Sequence, residues 1–104
     1  MTPTPASVLA QLERIEAGMK RIGLWQAGPL DPEQYDFRAA FAGDTMSFAQ
    51  WLQFIFIPNV RAAAGRNKFP AASHVGAKAV REFDTIPDAA ELVTLLVEFD
   101  ALFQ

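Results

Sequence analysis

The side chains that most often carry catalysis are sparse in this chain of 104 residues. His74 is its single histidine and it has no cysteine, so thiolate chemistry is excluded and a zinc site would lack its usual ligands. Ser73 and His74 could join an acid in a nucleophilic triad, but triads are defined by geometry and no local pattern supports one. The sequence therefore predicts a protein that is not an enzyme, and it indicates no metal and no cofactor.

Asp44 is the carboxylate whose position most invites a chemical role, because Asp44-Thr45-Met46 directly precedes the most apolar stretch of the chain. An aspartate there could act as an acid or as a ligand. The structural alternative is that Asp44 or Thr45 helps Ser47 to satisfy the free amides at a helix start and offsets the helix dipole. We favour the structural interpretation.

Charge is unevenly distributed along the second half of the chain. Residues 59–81 contain basic residues and no acid, whereas residues 82–104 contain acids and no base. The net charge of −3 does not favour a nucleic-acid binder, and we expect the two segments to offset each other inside one domain. The alternative is a basic strip that binds RNA or an acidic partner. This basic strip consists of Arg61, Arg66, Lys68, Lys78 and Arg81.

The stretch from Ser47 to Pro58 is the element around which the chain is predicted to fold. Ser47 and Gln50 have the spacing of a capping box, so a helix should begin there. Apolar residues then cover most of the helical wheel, and Gln50 and Gln53 leave only a narrow polar strip. Such a helix is buried by several neighbours. Because proline clashes with the preceding helical turn, we expect this helix, over about residues 47–64, to be kinked at Pro58.

A kink beside aromatic side chains could open an apolar pocket for a small ligand. Aromatic residues on such a helix more often form plain core, so ligand binding is an alternative function and not the leading one. The candidate lining residues are Trp25, Met46, Trp51, Phe54 and Pro58.

Three further helices are predicted around this one. Thr4-Pro5 is a helix start, and an apolar stripe at helical spacing runs from Val8 to Ile22. A short third helix is expected over about Gly76 to Asp84, and its start is ambiguous. A fourth helix is expected to begin at a capping box of Asp88 and Glu91.

The apolar residues of the fourth helix span more than half of its wheel, which indicates contact with two neighbours or a subunit interface. A connection over residues 26–46 should lie against the bundle. No stretch shows the alternation of a half-buried strand. The predicted fold is all-α: one domain over residues 1–104, a four-helix bundle with the apolar helix at its centre and a long first crossover.

Five short motifs stand out along the chain: Asp44-Thr45-Met46, Trp51-Leu52-Gln53, Ile57-Pro58, Phe69-Pro70 and Asp100-Ala101-Leu102-Phe103. Together they resemble the YqcC-like family of small bacterial proteins. The resemblance spans nearly the whole chain and implies an all-helical domain, with no settled biochemical function and no catalytic residues. Members are commonly encoded near a tRNA pseudouridine synthase, which implies an indirect link to tRNA modification. One departure is Asn59-Val60, where a basic residue and methionine are common.

The leading hypothesis is therefore a non-enzymatic helical interaction module, an accessory to tRNA modification, with a protein partner or a second copy of itself. Residues 1–7 lack the basic flank and apolar core of a signal peptide, and no apolar run is long enough to span a bilayer. We accordingly expect a cytoplasmic protein without a membrane partner. The apolar-ligand and RNA-binding alternatives stay open.

Overall fold

The computed structural model describes residues 3–103, and all regular elements in this range are helical. No strand occurs within it, which confirms the predicted all-α architecture of four helices. Met1, Thr2 and Gln104 of the predicted domain 1–104 lie outside the described residues. The four main helices are α1, Pro5–Arg21; α2, made of the consecutive segments Phe48–Trp51, Leu52–Phe56 and Ile57–Arg66; α3, Val75–Glu82; and α4, Ala90–Ala101. Two short 3-10 helices, Pro32–Tyr35 and Ala40–Ala42, lie between α1 and α2.

Helix α1 begins where its sequence predicts. Thr4 is extended at the N-cap, and its Oγ1 accepts the Ser7 N–H at 3.1 Å. Ser7 Oγ in turn accepts the Thr4 N–H at 3.3 Å, so the two residues form a reciprocal capping box. The predicted stripe faces the core, with its first four members at most 1 % exposed.

No helix within residues 3–103 is both long and apolar enough to cross a membrane.

Helix α1 packs between α2 and α4, and α3 packs on α4. Aromatic rings close the remaining side: the Phe48 and Phe83 centroids lie 5.3 Å apart, and those of Phe56 and Phe99 lie 5.0 Å apart. The first half of α2 shares one buried core with residues of the other three helices, whereas most of residues 59–66 are exposed. The predicted central helix is central over that first half.

Pro58 does not interrupt α2, because the chain accommodates it in the turn before. Leu52–Phe56 forms a π turn, in which the Ile57 N–H donates to the Leu52 carbonyl. A wider turn relieves the clash between a proline ring and the preceding carbonyl. It also brings Leu52 and Ile57 to the core together, at 0 % and 1 % exposure, although in a regular α-helix they would point about 140° apart.

The start of α4 differs from the prediction. Helix α4 begins at Ala90, and its N-cap residue Ala89 makes no side-chain capping bond. Asp88 is left-handed at φ 64°, whereas an N-cap residue that bonds the next turn is extended. The predicted capping box of Asp88 and Glu91 is therefore wrong. Asp88 instead completes the turn in which the Ala89 N–H donates to the Ile86 carbonyl.

The other two predicted boundaries shift by one or two residues. Helix α3 spans Val75–Glu82 instead of Gly76 to Asp84. Helix α2 continues past Ala64 to Arg66, where Asn67 ends it in a left-handed conformation at φ 50°. Asparagine tolerates this conformation better than most side chains do, which explains why the helix stops there.

The connection over residues 26–46 is fastened to α2 by glutamine side chains. Gln53 is 8 % exposed. Its Oε1 accepts the Gln26 N–H and its Nε2 donates to the Gln26 carbonyl, both at 2.8 Å. Gln50 Nε2 donates to Gln26 Oε1 at 2.9 Å. The narrow polar strip that the sequence shows on α2 is thus the surface on which the connection docks.

Asp44 and Thr45 hold the connection together and do not cap α2. Asp44 accepts the N–H groups of Arg38 and Ala39 at 2.9 and 3.3 Å. Thr45 Oγ1 donates to the Gln34 carbonyl at 2.7 Å. The expectation that either residue helps at the helix start is therefore wrong, and α2 is capped by the predicted box of a serine and a glutamine alone.

Candidate functional site

An apolar groove of about 220 Å³ opens between α2, α4 and the segment that joins α2 to α3. Its most buried lining residues are Phe56, Phe99 and Phe103, at 8 %, 2 % and 8 % exposure. The Phe99 ring lies 5.0 Å from Phe56 and 5.1 Å from Phe103. Trp51 and Phe69 add half-buried rings. The other lining residues are Asn59, Val60, Ala63, Pro70, Ala72 and Ser73.

The groove exists because α2 presents small side chains after its π turn. Val60 and Ala63 lie about one helical turn apart, so both face the groove. The chain then returns through Phe69, whose ring packs on Phe103 at 5.8 Å. The result is a concave surface with aromatic walls and no large side chain filling it.

The groove lies beside Pro58, where the sequence predicts a pocket, but its lining is different. Of the five predicted residues only Trp51 lines it. Met46 and Phe54 pack in a smaller apolar cluster on the side of the connection. Trp25 packs against the main core, 5.0 Å below Lys20 Nζ.

Pro58 itself is exposed. The rings that sequence reasoning missed, Phe69, Phe99 and Phe103, come from other elements. No local periodicity signals that these elements meet α2, so only a three-dimensional arrangement could have identified them.

The five residues of the basic strip do not share one environment. Arg61 Nη2 pairs with Glu16 of α1 at 2.8 Å, and Lys78 Nζ pairs with Glu82 at 2.9 Å. The other three are exposed and form no ion pair with any of residues 3–103. These three are Arg66, Lys68 and Arg81.

Glu16 is the acid that two cations share. Lys20 Nζ lies 2.9 Å from Glu16 Oε2, and Arg61 Nη2 lies 2.8 Å from Glu16 Oε1. The hydrogen bond from Lys20 is the main cause that holds the pKa of Glu16 below its ordinary value; burial opposes it, and the hydrogen bond from Arg61 adds to the lowering. Arg61 therefore ties α2 to α1.

The most heavily bonded carboxylate, Asp100, has a structural role. It lies on α4 and accepts from Ser73 Oγ at 2.6 Å. It also accepts the N–H groups of Val75, Gly76 and Ala77 at 2.9, 2.8 and 3.3 Å. Asp100 thus caps the start of α3 from another helix. The sequence gives no sign of this role, because the two partners are far apart along the chain.

The remaining chemically suggestive residues are also accounted for. The backbone amides of Arg38 and then Ala39 hold the pKa of Asp44 below its usual value. His74 is exposed at the N-cap position of α3 and makes no side-chain capping bond there. Across residues 3–103, no three acidic or histidine side chains are grouped as metal ligands would be.

A second depression, of about 360 Å³, adjoins the groove and shares Ala72, Ser73 and Phe103 with it. It extends along α4 to Val97, which is 45 % exposed.

The wide apolar arc predicted for α4 contacts two neighbouring helices, α1 and α3. Part of the arc is still left at the surface.

Comparison with known proteins gives consistent results. A family model described as "DUF446: tRNA pseudouridine synthase C" matches residues 7–102. An uncharacterized protein of Haemophilus influenzae is 32 % identical over 96 residues, which are 88 % of this chain and 87 % of that protein. The solution NMR structure of protein YqcC from E. coli shares 28 % identity at a TM-score of 0.84, over 99 % of this chain and 89 % of that chain.

Proposed function

The chain belongs to the YqcC-like family, and from this membership we propose that it is a non-enzymatic helical interaction module that assists tRNA modification. The observation that carries the proposal is the apolar groove, an exposed concave surface with aromatic walls. The link to tRNA rests on the description of the family model, which names a tRNA pseudouridine synthase.

Two carboxylates that could suggest catalysis, Asp44 and Asp100, have structural roles instead, which is compatible with an accessory role. Isomerisation of uridine in tRNA breaks the bond between the ribose and the base and forms a new bond between them. Enzymes supply nucleophiles or general acids and bases for such steps. Asp100 already accepts four hydrogen bonds that start α3. Asp44 is likewise committed to two backbone amides.

The proposal is tested by the pseudouridine content of tRNA from cells that lack the chain. We expect a deficit at one or more positions, which the wild-type chain restores. The purified chain alone should convert no uridine in tRNA. An unchanged pseudouridine content in the deletion strain would contradict the accessory role, and conversion by the chain alone would contradict the non-enzymatic one.

A second candidate function is binding of a small apolar molecule, favoured by the same groove beside Pro58. A ligand that binds only the folded chain raises its melting temperature by mass action. Thermal-shift screening with fatty acids and aromatic metabolites should then reveal at least one stabilising compound, and the shift should disappear in the variant Ala63→Glu. A screen without any shift would exclude this candidate.

Direct RNA binding through the basic strip has weaker support, because Arg61 and Lys78 already hold carboxylate partners. Counterion release makes such binding strongly dependent on salt. Retention of tRNA at low salt, lost in the charge reversals Arg66→Glu and Arg81→Glu, would favour it over a protein partner.

A further inference from the structure

We infer that the groove binds an acidic peptide segment of a protein partner, with one aromatic side chain seated against Phe56, Phe99 and Phe103. Carboxylates that flank this anchor would lie next to Arg66 and Lys68. The inference rests on the proposed function, because it names the chemistry of the partner that the interaction module recognises.

The size of the groove indicates a single aromatic anchor. Its volume is about 220 Å³. Pockets that enclose drug-sized ligands measure about 300–1,000 Å³, whereas an apolar cavity of about 150 Å³ is enough for benzene. Aromatic side chains that fill such desolvated sites commonly dominate the affinity of protein interfaces.

The shape of the surface favours a chain over a compact ligand. The groove continues into the adjoining depression, with which it shares Ala72, Ser73 and Phe103. This depression reaches the exposed Val97. A peptide can extend along this elongated surface on one side of its anchor residue, whereas a compact molecule would leave the depression empty.

The charges at the groove favour an acidic peptide. Arg66 follows the lining residue Ala63 by about one helical turn, and Lys68 directly precedes the lining residue Phe69. Both cations are exposed and have no carboxylate partner in the described part of the chain. Asp100, the acid of the adjoining depression, directs its oxygens to the amides of α3.

The same surface suits protein better than single-stranded RNA. Bases bind to aromatic rings whose faces are open for stacking. The innermost rings, Phe56, Phe99 and Phe103, are at most 8 % exposed, so they form a socket, and the two other rings, Trp51 and Phe69, are themselves half-buried.

The inference is tested with a synthetic capped peptide that carries one phenylalanine between glutamates on either side. In the variant Trp25→Phe, Trp51 is the only tryptophan, and its fluorescence reports the groove. We expect saturable binding of this peptide. Replacement of its phenylalanine by alanine should weaken binding at least about tenfold, the loss typical of an anchor residue.

Variants of neighbouring residues provide matched controls. Ala63 lines the groove, whereas Ala62 on the same helix is exposed outside it. We expect Ala63→Glu to weaken peptide binding at least about tenfold and Ala62→Glu to leave it within about twofold. Arg66→Glu should weaken binding about three- to tenfold at low salt, an effect that salt screens, whereas Arg81→Glu should not.

Three results would overturn the inference. The first is no binding of the peptide, and the second is equal binding by Ala63→Glu and Ala62→Glu. The third is preferential occupation of the groove by a second copy of the chain, an uncharged aromatic molecule or a short RNA oligonucleotide in the same assay. If these binding tests fail while the deletion strain still shows a deficit of pseudouridine, the assignment of the groove is wrong but the proposed function is not contradicted.

Discussion

Asp100 shows how one side chain can start a helix to which it does not belong. Most helix caps are local, and a sequence pattern reveals them, as it does for Thr4 and Ser47. The cap of α3 comes instead from α4, through bonds to Ser73, Val75, and the two amides that follow. His74, at the local N-cap position, contributes no such bond. Helix α3 therefore depends on tertiary contact for its first turn.

Removal of this carboxylate should be costly. We expect Asp100→Ala to lower the free energy of unfolding by about 1–3 kcal/mol, because backbone amides at the start of α3 lose a charged acceptor. Urea denaturation followed by circular dichroism measures this change. Glu98→Ala serves as the control, because Glu98 is exposed on the same helix and should change stability by less than about 0.5 kcal/mol. Equal effects of the two variants would contradict the capping role.

Glu16 provides a prediction about pH. Its pKa is lowered in the folded chain by the hydrogen bonds from Lys20 and then Arg61. A group with a lowered folded pKa stabilises the protein above its unfolded pKa of about 4.5. This stabilisation is lost as the pH falls through the folded value. Glu16→Gln should thus reduce stability near neutral pH, by less than about 1 kcal/mol because the pair is at the surface, and should have no effect at strongly acidic pH.

The measurement for Glu16 is urea denaturation at both pH values, with Glu13→Gln as the control. Glu13 is exposed and forms no ion pair within the described range. If Glu16→Gln changes the free energy of unfolding by the same amount at neutral and at acidic pH, the ion pairs are not the cause of that change.

At the scale of elements, the contact between α3 and α4 depends on the absence of a side chain. A Cβ atom built on Gly76 would lie 2.5 Å from Val97 Cα, 2.6 Å from Val97 N and 2.8 Å from the carbonyl carbon of Leu96. These are backbone atoms of a helix, which cannot move aside as a flexible side chain would. Only glycine permits this close approach.

Gly76→Ala should therefore separate α3 from α4 and lower the free energy of unfolding by about 1–3 kcal/mol or more, as overpacking does. Gly65→Ala makes a matched comparison, because nothing lies within 4 Å of a Cβ there. Alanine is the better helix former, so this second variant should gain up to about 0.5–1 kcal/mol. Thermal unfolding shows whether each variant is stabilised or destabilised. Unchanged stability of Gly76→Ala would contradict the close packing.

The sequence predicts best those elements whose signals are local. The Thr4-Pro5 start of α1, the capping box of α2 and the apolar stripe of α1 are visible as short patterns and recur in the structure. Asp88 fails as a cap because a left-handed backbone, set by the turn before α4, overrides a favourable pair of residue types. The lining of the groove is not visible as a local pattern, because rings such as Phe99 reach it from distant parts of the chain.

At the scale of the whole molecule, two apolar clusters meet at Trp51. The larger one joins all four helices, and the smaller one consists of Leu30, Ala42 and Met46 with partly buried neighbours from α2 and the connection. The connection contributes few long-range backbone bonds and depends on side chains such as Gln53. It can therefore open locally while the helices remain packed.

Hydrogen exchange should distinguish the two clusters. Met46→Ala should speed exchange of amides in residues 26–46 and leave the slowest amides of α1 and α4 unchanged, because it removes packing from the smaller cluster. Leu12→Ala, in the larger cluster at 1 % exposure, should lower the protection of all helices by about 2–5 kcal/mol. Uniform loss of protection in Met46→Ala would mean that the connection and the bundle unfold together.

The π turn gives α2 one residue more than an α-helix would use over the same rise. If a single residue were deleted between positions 52 and 56, the turn could close as a regular α-helical turn, and the residues after it would keep their orientation. Arg61 would still face Glu16, and Val60 and Ala63 would still line the groove. A deletion elsewhere in α2 has no such extra residue to remove and would rotate the rest of the helix by about 100°. Such a deletion would separate Arg61 from Glu16 and carry Val60 and Ala63 out of the groove.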